Sequence, residues 1–272
     1  MSGGVDSSVA AALLQRDGWE VIGVTMKVWP QDCISRAEDK CCGPSAIADS
    51  RGFAHKLGIP HYVVDEADNF EKIVIDYFAS EYRLGRTPNP CVMCNEHLKF
   101  GKLRDKAKAL GADFIATGHY AIIEHHADHA VLKKGRDSRK DQSYFLSALD
   151  PSVLDRVLFP LGDREKSDVR DDARRAGLAV ADKPDSQDVC FITHEGGRER
   201  FLGDRIPFRR ATVVDVATGE RVGEVDAVEM VTIGQRRGLR LAGGAPKQFV
   251  LDVDVEARTV VVGAETSLQR PE

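Results

Sequence analysis

No apolar run in the chain approaches the roughly 20 residues a membrane helix needs, which excludes a helical membrane span. The start, Met-Ser-Gly-Gly, lacks the basic stretch and apolar core of a secretory signal, so a cytoplasmic setting is expected. Net positive charge is lacking too. At −5 the chain does not read as a general nucleic-acid coat protein, although a local basic face can act within an acidic whole. Cysteine is sparse, six in 272 residues, which is a poor disulfide scaffold. In a reducing compartment such thiols read as metal ligands, catalytic groups or, as for Cys33, small buried hydrophobes. Internal repeats and low-complexity tracts are absent. What is present, 42 % hydrophobic and 30 % charged residues, suits a globular chain rather than a disordered one.

Up to about residue 150, β-rich runs alternate with amphipathic helical stretches. Strands are expected at Val21–Met26, His61–Val64 and Phe114–Thr117, and helices near Ser45–Leu57, Asn69–Glu81 and Asn95–Leu110. This alternation predicts an α/β, Rossmann-like fold in which residues 61–64 and 114–117 are parallel strands of one sheet. Asp150 to Phe201 reads as mostly helical. From Gly203 the texture becomes alternating and Gly-punctuated, at residues 213–216, 228–232, 250–255 and 259–262, which predicts a small antiparallel β-rich domain. The expected division is therefore 1–160, 161–202 and 203–272.

The segment Ser2-Gly3-Gly4-Val5-Asp6-Ser7-Ser8 opens directly into the apolar helix that starts at Val9. Glycines let a backbone approach phosphate closely, and hydroxyls and helix N-terminal N–H groups donate to it. Asp6 suits a Mg²⁺ ion bridging phosphates. A Walker loop is excluded because no Gly-Lys-Ser/Thr ending follows. The bland alternative is a Ser-capped helix after a Gly turn. The segment looks like the SGGxDS loop of enzymes that split ATP between its α and β phosphates. GMP, NAD and asparagine synthetases, argininosuccinate synthase and tRNA lysidine synthetase share that signature, so the loop does not name the substrate.

Thr87-Pro88-Asn89-Pro90-Cys91-Val92-Met93-Cys94-Asn95 places two thiols three residues apart at an expected helix start, where the helix N-terminus would lower a thiol pKa. A third thiol, Cys190, lies in Lys183–Ile192. From spacing alone the set reads as a redox pair, an incomplete zinc site or a three-cysteine Fe–S site.

With these motifs, Ala116–Ala121, Lys140–Leu146, Cys41-Cys42 and Thr232–Leu239 in order along nearly the whole chain, the sequence resembles the tRNA-specific 2-thiouridylases of the PP-loop ATP pyrophosphatase superfamily. The resemblance implies a tRNA uridine 2-sulfurtransferase that adenylates the wobble uridine with ATP and Mg²⁺, then replaces oxygen with sulfur. It makes 1–160 the catalytic domain, 161–202 a connection carrying the second catalytic cysteine, and 203–272 a central β-rich domain. Cys94 matches the nucleophile and Cys190 the persulfide carrier. Ser2, Gly3, Gly4, Val5, Asp6, Ser7, Ser8, Met26 and Gly118 match the ATP pocket. Asn89, Pro90 and Cys91 match the segment around the target base, and His119, Lys140, Asp141 and Gln142 match tRNA contacts. The local alternatives are that His119 satisfies a buried polar group and that Lys140-Asp141-Gln142 is a solvated turn capping the Ser143 helix.

Two departures from the family pattern stand out. Many members carry Asp where this chain has Cys91, and the resulting trio Cys91, Cys94 and Cys190 resembles the three-cysteine [4Fe–4S] site of other tRNA-thiolating enzymes. Relative to the family, a first sheet strand and a C-terminal β-barrel are expected to be missing. The implied partners are tRNA and a sulfur donor such as a cysteine desulfurase or sulfur-relay protein, with no membrane. Two other readings compete: a PP-loop enzyme adenylating a small metabolite, which needs neither the three thiols nor Arg236, Arg237 and Arg240, and a truncated, non-catalytic tRNA-binding remnant.

Overall fold

The helix Val5–Arg16 forms because one apolar stripe, Val5, Val9, Ala10 and Leu13, must leave water. It packs with Phe53 of the helix Pro44–Leu57 and with Val169 and Ala173 of the helix Lys166–Arg175, around the fully buried Leu161. In the computed structural model the described residues are 1–28, 44–178, 180–183, 189–192, 197–241 and 247–268. Cys33, Cys41 and Cys42, and residues 184–188 of the Cys190 motif, lie outside them. The chain divides into two compact units, Met1–Ile75 with Asn89–Phe191, and Asp76–Pro88 with Ile192–Glu272.

In the first unit, strands β1 (Gly23–Lys27) and β2 (His61–Asp65) pair in parallel, Gly23 opposite His61. The strand β3 (Ile115–Ala116) is followed by a hairpin of β4 (Ala121–His125) and β5 (Ala130–Lys134) that the sequence pattern did not signal. β3 pairs in parallel with β6 (Val157–Leu158). The α/β class with parallel strands stands. The expectation that residues 61–64 and 114–117 share one sheet is corrected: they lie in two separate two-stranded ladders. β3 is only two residues long, and β1 engages Met1, whose amino group donates to the Val24 carbonyl and whose carbonyl accepts from Thr25 Oγ1 at 2.8 Å. A second core, Phe100, Ile115, Ala121, Leu146, Val153 and Val157, fixes β3 and the hairpin against the helical stretch 90–109.

In the second unit, β7 (Ala211–Asp215), β8 (Arg221–Val225), β9 (Phe249–Asp254) and β10 (Thr259–Gly263) form one sheet in the order β8-β7-β10-β9. Two of its pairings are antiparallel, but β7 and β10 run parallel, which corrects the purely antiparallel expectation. Residues 228–232 are not a strand. Val228–Met230 is a 3₁₀ turn, because Glu229 is 1 % exposed and points inward. Its carboxylate accepts from the Arg209 backbone N–H at 3.1 Å and from Arg209 Nε at 2.7 Å, so alternation misread a buried ion pair as an outward polar position.

Candidate active site

Gly3 has φ +66, and a Cβ there would sit 2.6 Å from the Ala46 carbonyl oxygen, so only glycine fits this turn. Gly4 is the N-cap of the helix Val5–Arg16 and contributes no capping side chain. The first-turn N–H groups therefore keep donors and a positive dipole end for an anion, rather than spending them on a serine cap. Ser7 braces the loop instead: its hydroxyl accepts from the Ser2 N–H at 3.1 Å, meets Ser2 Oγ at 3.1 Å and donates to the Gly4 carbonyl at 3.3 Å. Val5 and Ser8 are buried and serve the core beneath the loop.

Asp6 is the centre of a network that the sequence did not reveal. Lys166 Nζ donates to both carboxylate oxygens, at 2.7 and 2.8 Å, and the Tyr120 hydroxyl donates to Oδ1 at 2.8 Å. Lys166 is 8 % exposed, its ammonium lies 5.6 Å from the Tyr120 ring centre, and its backbone N–H donates to Asp137 Oδ2 at 3.1 Å. A carboxylate has about four acceptor positions. Three are taken, which leaves Oδ2 capacity for a hard cation such as Mg²⁺. Gly118 lies against the loop so closely that a Cβ would be 2.8 Å from the Asp6 carbonyl carbon and 2.9 Å from the Ser7 nitrogen. Lys183 Nζ, 3.5 Å from the Gly3 carbonyl oxygen and 3.2 Å from Asp49 Oδ2, adds a second cation at this corner. Met26 is half-buried on β1.

The thiols sit differently. Asn89 caps the helix Pro90–Met93, its side chain accepting from the Cys91 N–H at 3.1 Å, and the helical backbone continues through Cys94–Lys102. Cys94 is thus a turn inside the helix rather than at its N-terminus. Burial pushes its thiol above the ordinary range, and the Lys99 charge offsets this only in part. That corrects the expected pKa lowering. The adjacent Asn95 is 2 % exposed and donates to the Phe145 carbonyl at 2.9 Å. Cys190 precedes Phe191, which is buried and meets the Phe70 ring edge-on at 5.8 Å. Cys91, Cys94 and Cys190 are all reduced and half-buried. Among the described residues no three Cys, His, Asp or Glu side chains are grouped to hold a metal ion.

His119 is kept neutral: burial drives its pKa well below the ordinary imidazole value, with Lys99 adding to the effect. Its Nδ1 meets Thr117 Oγ1 at 2.7 Å, and its ring packs near Phe100 and Phe159. Asp141 accepts from the Gly135 N–H at 2.8 Å and from the Ser143 hydroxyl at 2.9 Å. Burial acts to raise its pKa, but these hydrogen bonds bring it below the ordinary value. Gln142 and Tyr120 exchange two hydrogen bonds, at 3.1 and 2.9 Å. Asp141 and Gln142 therefore spend side-chain oxygens inside the protein, and Lys140 stands at the half-buried end of a basic loop. In the second unit Gln235 closes the 232–239 turn, with Arg236 and Arg237 exposed. No helix among the described residues is long and apolar enough to cross a membrane.

A glycine-rich loop at a helix N-terminus, beside two lysines and in the same unit as three free thiols, marks the chain as an α/β enzyme. Residues 1–194 match the family described as tRNA methyl transferase HUP domain, and residues 199–264 the tRNA methyl transferase PRC-barrel domain. The chain is 47 % identical to tRNA-specific 2-thiouridylase MnmA 1 of Syntrophus aciditrophicus over 97 % of its own length and 70 % of the relative's. It is 47 % identical to MnmA 2 of Clostridium botulinum strain Okra, covering 97 % and 74 %, and 47 % identical to MnmA of Heliobacterium modesticaldum, covering 99 % and 70 %. The chain belongs to the tRNA-specific 2-thiouridylase family.

Proposed function

We propose that the chain is a tRNA uridine 2-sulfurtransferase that uses ATP to replace O2 of the wobble uridine with sulfur. Near-half identity to 2-thiouridylases over almost the whole chain carries this reading, and the combination of phosphate loop and thiols supports it. The methyl transferase wording of the two domain families does not weigh against it, because a loop built for ATP phosphates and reduced cysteines suits adenylation and sulfur transfer.

Uridine O2 is a poor leaving group. In the proposed sequence it attacks the α phosphorus of ATP and pyrophosphate leaves, with Gly3, Gly4, Ser7, the helix N–H groups and Lys183 neutralising the departing charge. Mg²⁺, held by Asp6, would supply further electrostatic stabilisation there. A sulfur donor, a desulfurase or relay protein, first loads Cys190 as a persulfide. The terminal sulfur attacks C2 and the C2–O bond breaks, releasing AMP. The Cys94 thiolate then attacks Cys190 Sγ, which leaves the sulfur on uridine and a Cys94–Cys190 disulfide that a two-electron reductant restores. Because burial raises the Cys94 pKa, the thiol must lose its proton before this attack. Asn89, Pro90 and Cys91 would surround the target base, with His119 as a neutral neighbour, and Lys140 would meet the tRNA backbone. Residues 1–160 would supply the phosphate loop with Cys91 and Cys94, 161–202 Cys190 together with Lys166 and Lys183 of the phosphate corner, and 203–272 the accessory β-rich domain. No step passes through an Fe–S cluster.

The test is purified protein with unmodified tRNA, Mg²⁺-ATP and a persulfide donor, read as 2-thiouridine and pyrophosphate. Both are expected, each dependent on tRNA. Pyrophosphate released with a small metabolite in place of tRNA would transfer the chain to another PP-loop activity.

A further inference from the structure

The sequence Lys133-Lys134-Gly135-Arg136-Asp137-Ser138-Arg139-Lys140 holds five cations in eight residues, within a chain whose net charge is −5. Its one acid is turned away from solvent: Asp137 is 3 % exposed, accepting from the Arg139 N–H at 3.0 Å and the Lys166 N–H at 3.1 Å. Lys133, Lys134, Arg136 and Arg139 are exposed. Lys133 pairs with Glu124, and Arg136 reaches Glu165 at 4.0 Å, both pairs that water screens and a phosphate can replace. Lys134 and Arg139 have no side-chain ion pair among the described residues. Just beyond, Tyr144 is 64 % exposed on the 3₁₀ turn Ser143–Leu146, where its ring is open to a partner. The turn is braced by Ser143–Asp141 and by Asn95, which donates to the Phe145 carbonyl.

We propose that the loop 133–140 and Tyr144 form an RNA-gripping surface, with the loop cations on backbone phosphates and the Tyr144 ring stacked on an unpaired base of the substrate tRNA. This rests on the thiouridylase reading above. Basic side chains interleaved with an exposed aromatic are the chemistry of single-stranded RNA capture, and anticodon loops present unstacked bases. The support is also mechanically coupled to the chemistry. Asp137 ties the loop to Lys166 and so to Asp6, and Asn95 ties the Tyr144 turn to the residue beside Cys94. An RNA seated here would be registered against both the phosphate corner and the thiol helix.

Binding of unmodified tRNA, measured across a salt series, tests this. For the double variant Lys134→Gln/Arg139→Gln the slope of log affinity against log salt is expected to fall by about 1.4, the loss of two phosphate contacts on single-stranded RNA. Tyr144→Ala is expected to weaken binding about ten-fold with the slope unchanged, and Tyr144→Phe to restore it. As a control, Arg104→Gln/Lys108→Gln removes two exposed charges elsewhere in the unit and is expected to leave the slope alone. Wild-type slope and affinity in the first two variants, or an equal slope change in the control pair, would overturn the surface while leaving the thiouridylase reading intact. A wild-type protein with no affinity for tRNA at low salt would instead remove that reading, and this proposal with it.

Discussion

Asp6 is held by three hydrogen bonds from Lys166 and Tyr120, with Gly118 and Gly3 in close backbone contact around it. Cys94, in the same unit, has a thiol whose pKa burial raises, and among the described residues it is not grouped with Cys91 and Cys190 in a ligand set. The phosphate corner is pre-organised, as electrostatic stabilisation of a leaving group requires. The thiol side is held in reserve. A thiol whose pKa is raised resists premature attack on a persulfide or oxidation, since the thiolate is the reactive form. In the proposed reaction, activation by ATP would therefore be ready before substrate arrives, with sulfur transfer waiting for it.

The sharpest way to break this comparison is Asp6→Ala. Pyrophosphate release with tRNA is expected to fall about 100-fold or more, because the pre-organised charge is lost. Lys166 is also left buried without its carboxylate, which costs roughly 1–2 kcal/mol once solvent access to Asp6 is allowed for. Asp6→Asn keeps the one acceptor oxygen that Lys166 and Tyr120 share, loses the second bond from Lys166, and should recover part of the thermal midpoint but not the rate. An Asp6→Ala enzyme of near-normal turnover would show that the corner is a structural clamp only.

A smaller effect is expected for Gly118→Ala. Its Cβ would press on the Asp6 and Ser7 backbone, so KM for ATP should rise about ten-fold while tRNA affinity stays. Unchanged ATP kinetics would mean that the loop adapts freely and is not pre-organised. On the thiol side, Cys91→Asp is expected to remain within about three-fold of wild-type thiolation and to purify without iron, since a hard carboxylate substitutes poorly only where a thiolate binds iron. Stoichiometric iron and sulfide in the anaerobic wild-type protein, lost together with activity in this variant, would reinstate the cluster.

The smallest effect concerns His119. Its folded pKa is depressed, so the unfolded chain binds the extra proton between the two values. Stability is therefore full above the ordinary imidazole pKa, about 6.5, and declines as pH falls through the depressed folded value. His119→Gln should flatten that acid limb of a denaturation series, and an unaltered limb would assign it to other groups.

Much of the corner was legible in the sequence because its geometry is local. Gly3, Gly4 and Asp6 follow one another into a helix, and short-range sterics and dipoles dictate what such a string can do. Asn89-Pro90 likewise announced the helix that carries Cys91 and Cys94. The β4–β5 hairpin escaped notice because Glu124, His125, Lys133 and Lys134 blur its alternation. Residues 228–232 misled in the opposite way, since a buried Glu229 looks polar in sequence and is internal in space. Lys166 carried no local signal at all.

By itself, then, the sequence determined the α/β class, the glycine-rich loop at a helix start, the three thiols and the family, each written in contiguous residues or in ordered motifs. Only the tertiary structure decided that Lys166, 160 positions away, neutralises Asp6, that burial raises rather than lowers the Cys94 thiol pKa, and that among the described residues the cysteines are not grouped in one ligand set. The reason is physical. Backbone conformation follows from neighbouring residues, whereas desolvation and charge pairing depend on which distant side chains the packed core brings within a few ångströms.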